Sequence, residues 1–433
     1  MGLTPKNKTK SEQGLNPESV DGVATNSESV RNLASNSLVL AAIGDSRMYD
    51  CIAANNYGNR EWSNKGFVSW AMALSGQKMI LPINHILAAG GGTTSDVVAQ
   101  SYNVKNLVPR PKYCMVNGDT NNVPYDIDEL KTHYLTINEE LTSNNIIPIY
   151  ITALPTSSSA EKLQVRNRFN LWLKRMCFEN GYYICDAYSK VVDIDTGLFR
   201  DEMTRDNVHP SCLGGYTIGV ELAKIFNHIT DGVQGSEGMQ TVNDVYDAIN
   251  NPTGNLISNG LMLGTGGENK QAYTTGDVAD GFIHRSYSGN LTSVASKEAR
   301  EDGLGYWQTF TLNTVDESTL KFYPSVGIDS IIADGDILQA ECDVEIETTS
   351  GGVDYARLFL SVIEVTTEDR SIAFYGDSSN AFPLPSADLK LRYKTGKVAI
   401  SNVTTKALVG LELKMEAGTS CVVRIGNLTI RKQ

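Results

Sequence analysis

The feature that most constrains the fold is a change of period along the chain. Up to about residue 230, short apolar runs alternate with stretches whose apolar residues recur every three or four positions. Beyond residue 254, apolar and polar residues alternate one for one. The two patterns cannot be exchanged, because a strand turns successive side chains to opposite faces while a helix gathers i, i+3 and i+4 on one side. Residues 38–43, 83–89, 113–116, 146–151 and 182–185 read as strands, and 66–74, 95–107, 126–141, 160–178 and 213–229 as helices. In the fourth helix Leu163, Phe169, Trp172, Leu173 and Met176 form the inward stripe. Strands alternating with helices imply right-handed crossovers and a parallel sheet covered on both faces, which makes 37–230 an α/β domain.

In the second part, 304–312, 319–323, 337–346, 356–365, 371–375, 388–393, 397–402, 407–415 and 420–430 read as short strands between turn residues. That pattern predicts an all-β, jelly-roll-like antiparallel sandwich over 254–433. Residues 231–253 read as a linker with a short helical stretch at 242–249. Residues 1–36 are a polar arm with Lys6, Lys8 and Lys10, too poor in apolar side chains to offset its ordering entropy with a core of its own. No internal repeat is found.

Composition excludes several classes of function. A formal net charge of -13 argues against a nucleic-acid partner, which needs a basic face to neutralise phosphates. No apolar stretch is long enough to span a bilayer, and the opening residues lack the basic start and hydrophobic run of a secretory signal, so no membrane partner and folding in a cytoplasm are expected. Seven cysteines without a Cys-Xaa-Xaa-Cys pair do not form a disulfide or zinc pattern, and they read as small buried hydrophobes. Residues 193–197, Asp-Ile-Asp-Thr-Gly, lack the later ligands of a calcium loop and read as a turn. No metal and no cofactor is expected.

Within this frame, Gly44-Asp45-Ser46 follows the first strand and Asp206-Asn207-Val208-His209 comes late in the same domain. A serine hydroxyl becomes a good nucleophile when an imidazole removes its proton and an acid fixes the imidazole's tautomer. Three residues from Asp206 to His209 let one short loop carry base and orienter together. Ligands of a doubly wound sheet bind at the carboxyl ends of its strands, and Ser46, the run Gly90-Gly91-Gly92 and Asn121 each follow a strand. Each residue type also has a structural use. A lone Gly-Asp-Ser is a turn, Asp206 can cap one, glycine runs serve turns and asparagines cap helices. His85, His133, His228 and His284 are read as structural. Cys212, three residues past His209, competes as a nucleophile but lacks the local context of Ser46. Arg47 reads as the partner of Asp50 or another carboxylate, the alternative being recognition of an acidic substrate.

Taken in order, Gly44-Asp45-Ser46, Gly91-Gly92-Thr93-Thr94, Thr120-Asn121 and Asp206-Asn207-Val208-His209 resemble the SGNH/GDSL hydrolases over roughly 37–230. The resemblance implies a flavodoxin-like three-layer fold and ester hydrolysis. It makes Ser46 the nucleophile, His209 the base and then the acid, and Asp206 its orienter, with the amides of Ser46 and Gly92 and the carboxamide of Asn121 as the oxyanion hole. Two departures stand out: the third block reads Asp119-Thr120-Asn121-Asn122 where the family has Gly-Xaa-Asn-Asp, and Arg47-Met48-Tyr49-Asp50 follows the nucleophile in place of small or hydroxyl residues. The opening Asn255-Leu256-Ile257-Ser258-Asn259-Gly260 of the second part looks like that of carbohydrate-binding jelly rolls, and Tyr306, Trp307, Tyr323, Tyr355 and Tyr375 are available to stack on sugars, though most of them read as core because a sandwich needs large inward residues.

The architecture as a whole suggests an esterase that removes O-acetyl groups from a bacterial surface polysaccharide on a phage tail. The expected partners are that acetylated glycan and, through the arm, other tail proteins. The expected location is the virion and the expected assembly a homotrimer. Two other readings stay open: a glycan-binding adhesin with an inactive hydrolase domain, favoured by the altered 119–122 block, and an intracellular lipase or thioesterase.

Overall fold

Strand β1 (Leu40–Gly44) is buried along its whole length, because both faces of its sheet are covered. The structure, a computed structural model, describes residues 38–54, 60–123, 125–233, 238–364, 370–374, 383–402 and 404–433. The arm expected over 1–36 lies outside these residues, as does Tyr375. After β1 come α1 (Ser46–Tyr49), the hairpin β2 (Ile52–Ala54) and β3 (Arg60–Trp62), α2 (Phe67–Leu74), α3 (Thr94–Val104) and β4 (Tyr113–Asn117). They are followed by α4 (Ile127–Ser143), β5 (Ile147–Ile151), α5 (Ala160–Asn180), β6 (Tyr183–Cys185), α6 (Tyr188–Val191) and α7 (Cys212–Ile229).

The sheet order is β1-β4-β5-β6, and every pairing is parallel. The strand expected at 83–89 is not formed. Ile83–His85 is a single 3-10 turn entered from Pro82, and this stretch joins the other edge of β1 through the isolated parallel bridges Val39↔Ile80 and Ala42↔Ile86, the Ala89 amide on the Gly44 carbonyl at 3.2 Å and the His85 ring on the Leu40 carbonyl at 3.0 Å. Proline fixes φ and offers no N–H, so the segment tracks β1 without a continuous ladder. With that segment counted by position, the order is 2-1-3-4-5, the doubly wound order whose switch point falls between β1 and β4. Alternation along β1 separates two layers. Leu40 and Ala42 enter a cluster with α2 and α7, while Ala41 and Ile43 enter one with α3, α4 and α5. Helix α2 is buried from Phe67 to Ala73, as an all-round apolar helix must be. It crosses α7 closely at Gly219, where a Cβ would stand 2.4 Å from that of Trp70.

A β-rich region follows, with β7 (Gly266–Lys270), β8 (Thr274–Gly276), β9 (Val278–Ser288), β10 (Leu291–Ala299), β11 (Tyr306–Thr314), β12 (Ser318–Pro324) and β13 (Ile337–Ser350). Its remaining strands are β14 (Val353–Glu364), β15 (Arg370–Phe374), β16 (Leu389–Lys394), β17 (Val398–Ala399), β18 (Thr404–Met415) and β19 (Ser420–Lys432). One sheet runs β16-β13-β19-β11-β10-β8, with β17 also on β13, and the other runs β15-β14-β18-β12-β9-β7. Strands β7 to β10 fall where the sequence pattern indicated none. The helical stretch expected at 242–249 is instead a turn, since the Asp247 carboxylate accepts from the amides of Ile249 and Asn250 and so competes with helix formation.

The two regions share a core: the cluster that holds Trp70 and Phe226 also holds Leu391 and Tyr393 of β16, and the Gln77 carboxamide donates to the Arg392 carbonyl at 3.2 Å. Between the sheets, Phe282 and Phe322 stack with ring centroids 4.6 Å apart, and Phe310 of the facing sheet lies 5.2 Å from Phe322. His284 is fully buried beside Phe310, with Nδ1 2.8 Å from the Asn269 carboxamide oxygen and Nε2 2.7 Å from Ser293 Oγ. Both ring nitrogens are matched in the neutral form, and burial lowers the imidazole pKa to about 4. A pKa below the unfolded value means stability is complete above about pH 6.5 and is lost as pH falls toward about 4, by roughly 3 kcal/mol in all. Urea unfolding at pH 7 and 4.5, with His284→Gln as reference, is expected to show this extra acid loss in the wild type only. Equal losses in both proteins would refute it.

Candidate active site

Ser46 is the first residue of α1, directly past the carboxyl end of β1. Gly44 before it is compelled to be glycine, since a Cβ there would lie 2.0 Å from the Asn117 carbonyl oxygen. Gln100 clamps the Gly44 peptide from both sides, accepting from its amide at 2.7 Å and donating to its carbonyl at 3.0 Å. Asp45 caps the helix by accepting from the Arg47 amide at 3.0 Å and, with its second oxygen, accepts from the Thr120 amide at 3.2 Å. Its burial raises the carboxyl pKa, against the lowering effect of Arg47. Ser46 is therefore presented by a turn fixed at strand, cap and neighbouring loop.

The loop at 206–209 is built by its own aspartate. Asp206 Oδ1 accepts from the amides of Val208 (3.0 Å) and His209 (2.7 Å), and Oδ2 faces His209 Nδ1 at 2.7 Å. Asn207 takes the left-handed conformation (φ 62°) that asparagine tolerates. The far nitrogen, His209 Nε2, lies 2.8 Å from Ser46 Oγ. Partial burial works to raise the Asp206 pKa, but the hydrogen bonds from His209 and Val208 outweigh it and hold the carboxyl below its ordinary value. It stays ionised at pH values where a free aspartate begins to protonate. With the His209 ring 21% exposed, the dyad is open to a ligand. The structure thus brings Ser46, His209 and Asp206 into one hydrogen-bonded line.

The other two blocks reach the same rim and are tied together. Thr93 and Asp96 form a capping box at the start of α3. The Thr94 amide donates to the Asn122 carboxamide oxygen at 2.9 Å, and Asn122 Nδ2 donates to Thr94 Oγ1, which also lies 2.7 Å from His133 Nδ1. Asn121 Nδ2 donates to the Gly92 carbonyl at 3.0 Å, leaving its second N–H unassigned. The Gly92 amide points to the Ala89 carbonyl at 3.3 Å, a long bond that must be exchanged before this amide can serve a substrate oxygen. The Ser46 amide has no acceptor among the described residues, as befits a first helical position.

Arg47 does not pair with Asp50, which is bound instead by Arg205 at 2.6 Å. It is fully buried and donates from Nε to the Val208 carbonyl (2.9 Å), from Nη1 to that of Leu154 (3.2 Å) and from Nη2 to that of Pro155 (2.7 Å). Its carboxylate is Asp119, 3.8 Å away, which Arg166 also meets at 3.3 Å. Burial lowers the Arg47 pKa while Asp119 and Asp45 oppose that shift. Cys212 is buried at the start of α7 and desolvation raises its thiol pKa, so it is not poised as a nucleophile. Among the named aromatics, Tyr355 is buried, and Arg300 covers the Trp307 ring at 4.2 Å. Tyr306 is exposed with Lys297 5.1 Å from its ring, and the exposed Tyr287, not singled out in sequence, lies under Lys321 at 4.5 Å.

No family model matches the chain, and no curated protein matches it. Its structural neighbours include GDSL lipolytic proteins. A member of that family from Veillonella parvula shares 17% identity over 44% of this chain and 98% of its own, with a TM-score of 0.35. A GDSL-like lipase from Bacteroides thetaiotaomicron shares 16% over 47% and 96%, with a TM-score of 0.33. The enzymatically active domain of tailspike protein 4 from bacteriophage CBA120 shares 9% over 36% of this chain and 20% of its own, with a TM-score of 0.26.

Proposed function

We propose that the chain is a serine esterase acting on short acyl esters, and more narrowly that it removes O-acetyl groups from a bacterial surface polysaccharide as part of a phage tail. The observation that carries the ester chemistry is the line Ser46 Oγ, His209 Nε2, His209 Nδ1, Asp206 Oδ2, closed by contacts of 2.8 and 2.7 Å. Ser46 Oγ attacks the ester carbonyl carbon as its proton passes to His209 Nε2. Asp206 holds the ring with its other proton on Nδ1 and stabilises the imidazolium. The carbonyl oxygen takes up negative charge beside the Ser46 amide and the spare N–H of Asn121, with Gly92 joining once its amide turns from Ala89. Collapse expels the alcohol, which takes the proton from His209. Water, activated in turn by His209, then releases the acid and restores Ser46.

The glycan reading draws on the β-rich region fused to the hydrolase-like part, and the tail reading on the polar arm of 1–36, assigned to docking on other tail proteins in a homotrimer. The long Gly92 to Ala89 hydrogen bond favours a second reading, an inactive glycan-binding protein. Hydrolysis of p-nitrophenyl acetate decides between them, with turnover expected for the esterase and none for the adhesin. Acetate should exceed p-nitrophenyl palmitate in kcat/KM by at least tenfold, and acetate should be released from a purified O-acetylated bacterial polysaccharide. A preference for palmitate would indicate a lipase instead.

A further inference from the structure

We propose that Arg47 is a positioning residue for this reaction, holding His209 at proton-transfer distance from Ser46, and that Asp119 is the charge that anchors it; the role rests on the esterase reading above. The two departures from the SGNH pattern, an arginine after the nucleophile and an aspartate at 119, meet in space and form one device.

The guanidinium donates to three carbonyls on two separate loops. Val208 is the residue before His209, and its carbonyl is held at 2.9 Å by a side chain whose backbone immediately follows Ser46. Leu154 and Pro155, held at 3.2 and 2.7 Å, belong to the loop after β5, which also supports the base loop through the Ser157 amide on the Asn207 carbonyl at 3.0 Å. Nucleophile and base are 163 residues apart in the chain, and besides their own hydrogen bond and Arg47 the two segments are joined by the Asp50–Arg205 pair at 2.6 Å, which lies at the far end of α1 from Ser46. A planar fork with fixed donor directions suits this task, and a lysine ammonium cannot make the same three bonds from one place.

A buried guanidinium requires a compensating charge. Asp119 supplies it and is shared with Arg166, so Asp45, Arg47, Asp119 and Arg166 form one buried set of two acidic and two guanidinium side chains. Asp119 lies two residues before Asn121, while Asp45 reaches the Thr120 amide. The residues on either side of Ser46 therefore reach the base loop and the Asn121 loop. A misplacement of about 1 Å in such a site can cost on the order of a hundredfold in rate.

The test compares wild type with Arg47→Lys, Arg47→Met and Asp119→Asn. Active sites are counted by burst titration with a p-nitrophenyl phosphonate, so that a smaller folded fraction does not pass for slower chemistry. Arg47→Lys is expected to lower kcat per titrated site by roughly 10- to 100-fold and to slow phosphonylation of Ser46 in parallel, with KM within about threefold of wild type. A merely structural arginine would lower Tm and leave both rates per site unchanged. Per-site rates within twofold of wild type in folded Arg47→Lys would overturn the proposal and leave the esterase reading intact. Asp119→Asn is close to isosteric, and it decides the matter if neither Arg47 variant folds: a loss of at least fivefold per site is expected, and an unchanged rate overturns the role. A wild type silent toward both ester and phosphonate would sink the esterase reading and this role with it.

Discussion

Ser46→Ala is expected to lower kcat on p-nitrophenyl acetate by about 10⁴-fold or more, and His209→Ala to do the same. The two losses do not add. With the hydroxyl gone, His209 has no proton to take, and with the imidazole gone, Ser46 keeps its proton at neutral pH, so either change alone disables the 2.8 Å pair. The double variant is therefore no slower than the worse single one, and all three retain only the rate that the amide donors and binding supply. Both residues are only half-buried, so circular dichroism and Tm should stay close to wild type. Turnover by Ser46→Ala above about 1% of wild type would remove the serine from the chemistry.

Asp206→Asn is expected to lower kcat by about 10³- to 10⁴-fold while the loop keeps its shape. The asparagine oxygen can still accept from the amides of Val208 and His209, which now meet Oδ1 at 3.0 and 2.7 Å. The NH₂ group then faces His209 Nδ1, where the carboxylate oxygen stands at 2.7 Å. Two donors cannot share that contact, so the ring must hold its proton on Nε2, and Nε2 can no longer receive one from Ser46. The contrast with Asp206→Ala is informative, because alanine also removes both loop caps and should lower Tm in addition. An Asp206→Asn variant within tenfold of wild-type kcat would show that the tautomer is not set by this carboxylate.

Much of the α/β part was legible because its signals are local. Fully apolar strands such as β1 and the inward stripe of Leu163, Phe169, Leu173 and Met176 along α5 show within a few residues which element they define. The 206–209 loop could be read for the same reason, since one aspartate makes its turn. What escaped depends on distant partners or on weak patterns. Residues 83–89 carry strand-like residues, but Pro82 leads into a 3-10 turn beside β1. Strand β7 is Gly-Gly-Glu-Asn-Lys at an exposed edge, and β9 breaks its alternation at Gly281, whose φ is 77°. Strand β10 alternates properly but turns Ser293 and Ala295 inward, a pattern too small and polar to register as apolar. Arg47 and Asp119 were visible as oddities whose partnership only the folded chain reveals, as was that of Asp119 with Arg166, 47 positions on.

The packing of Trp70 and Phe226 with Leu391 and Tyr393 has a mechanical consequence. Where many appended modules swing on a tether, this contact welds the two halves at a set angle. A polymer gripped by the β-rich half would meet the serine at a constant offset along its length, so spacing between grip and cut would be written into the geometry of the weld. Separating the halves would bare the aromatic and aliphatic surface that now lies between them, and each piece would emerge sticky where the intact molecule is sealed.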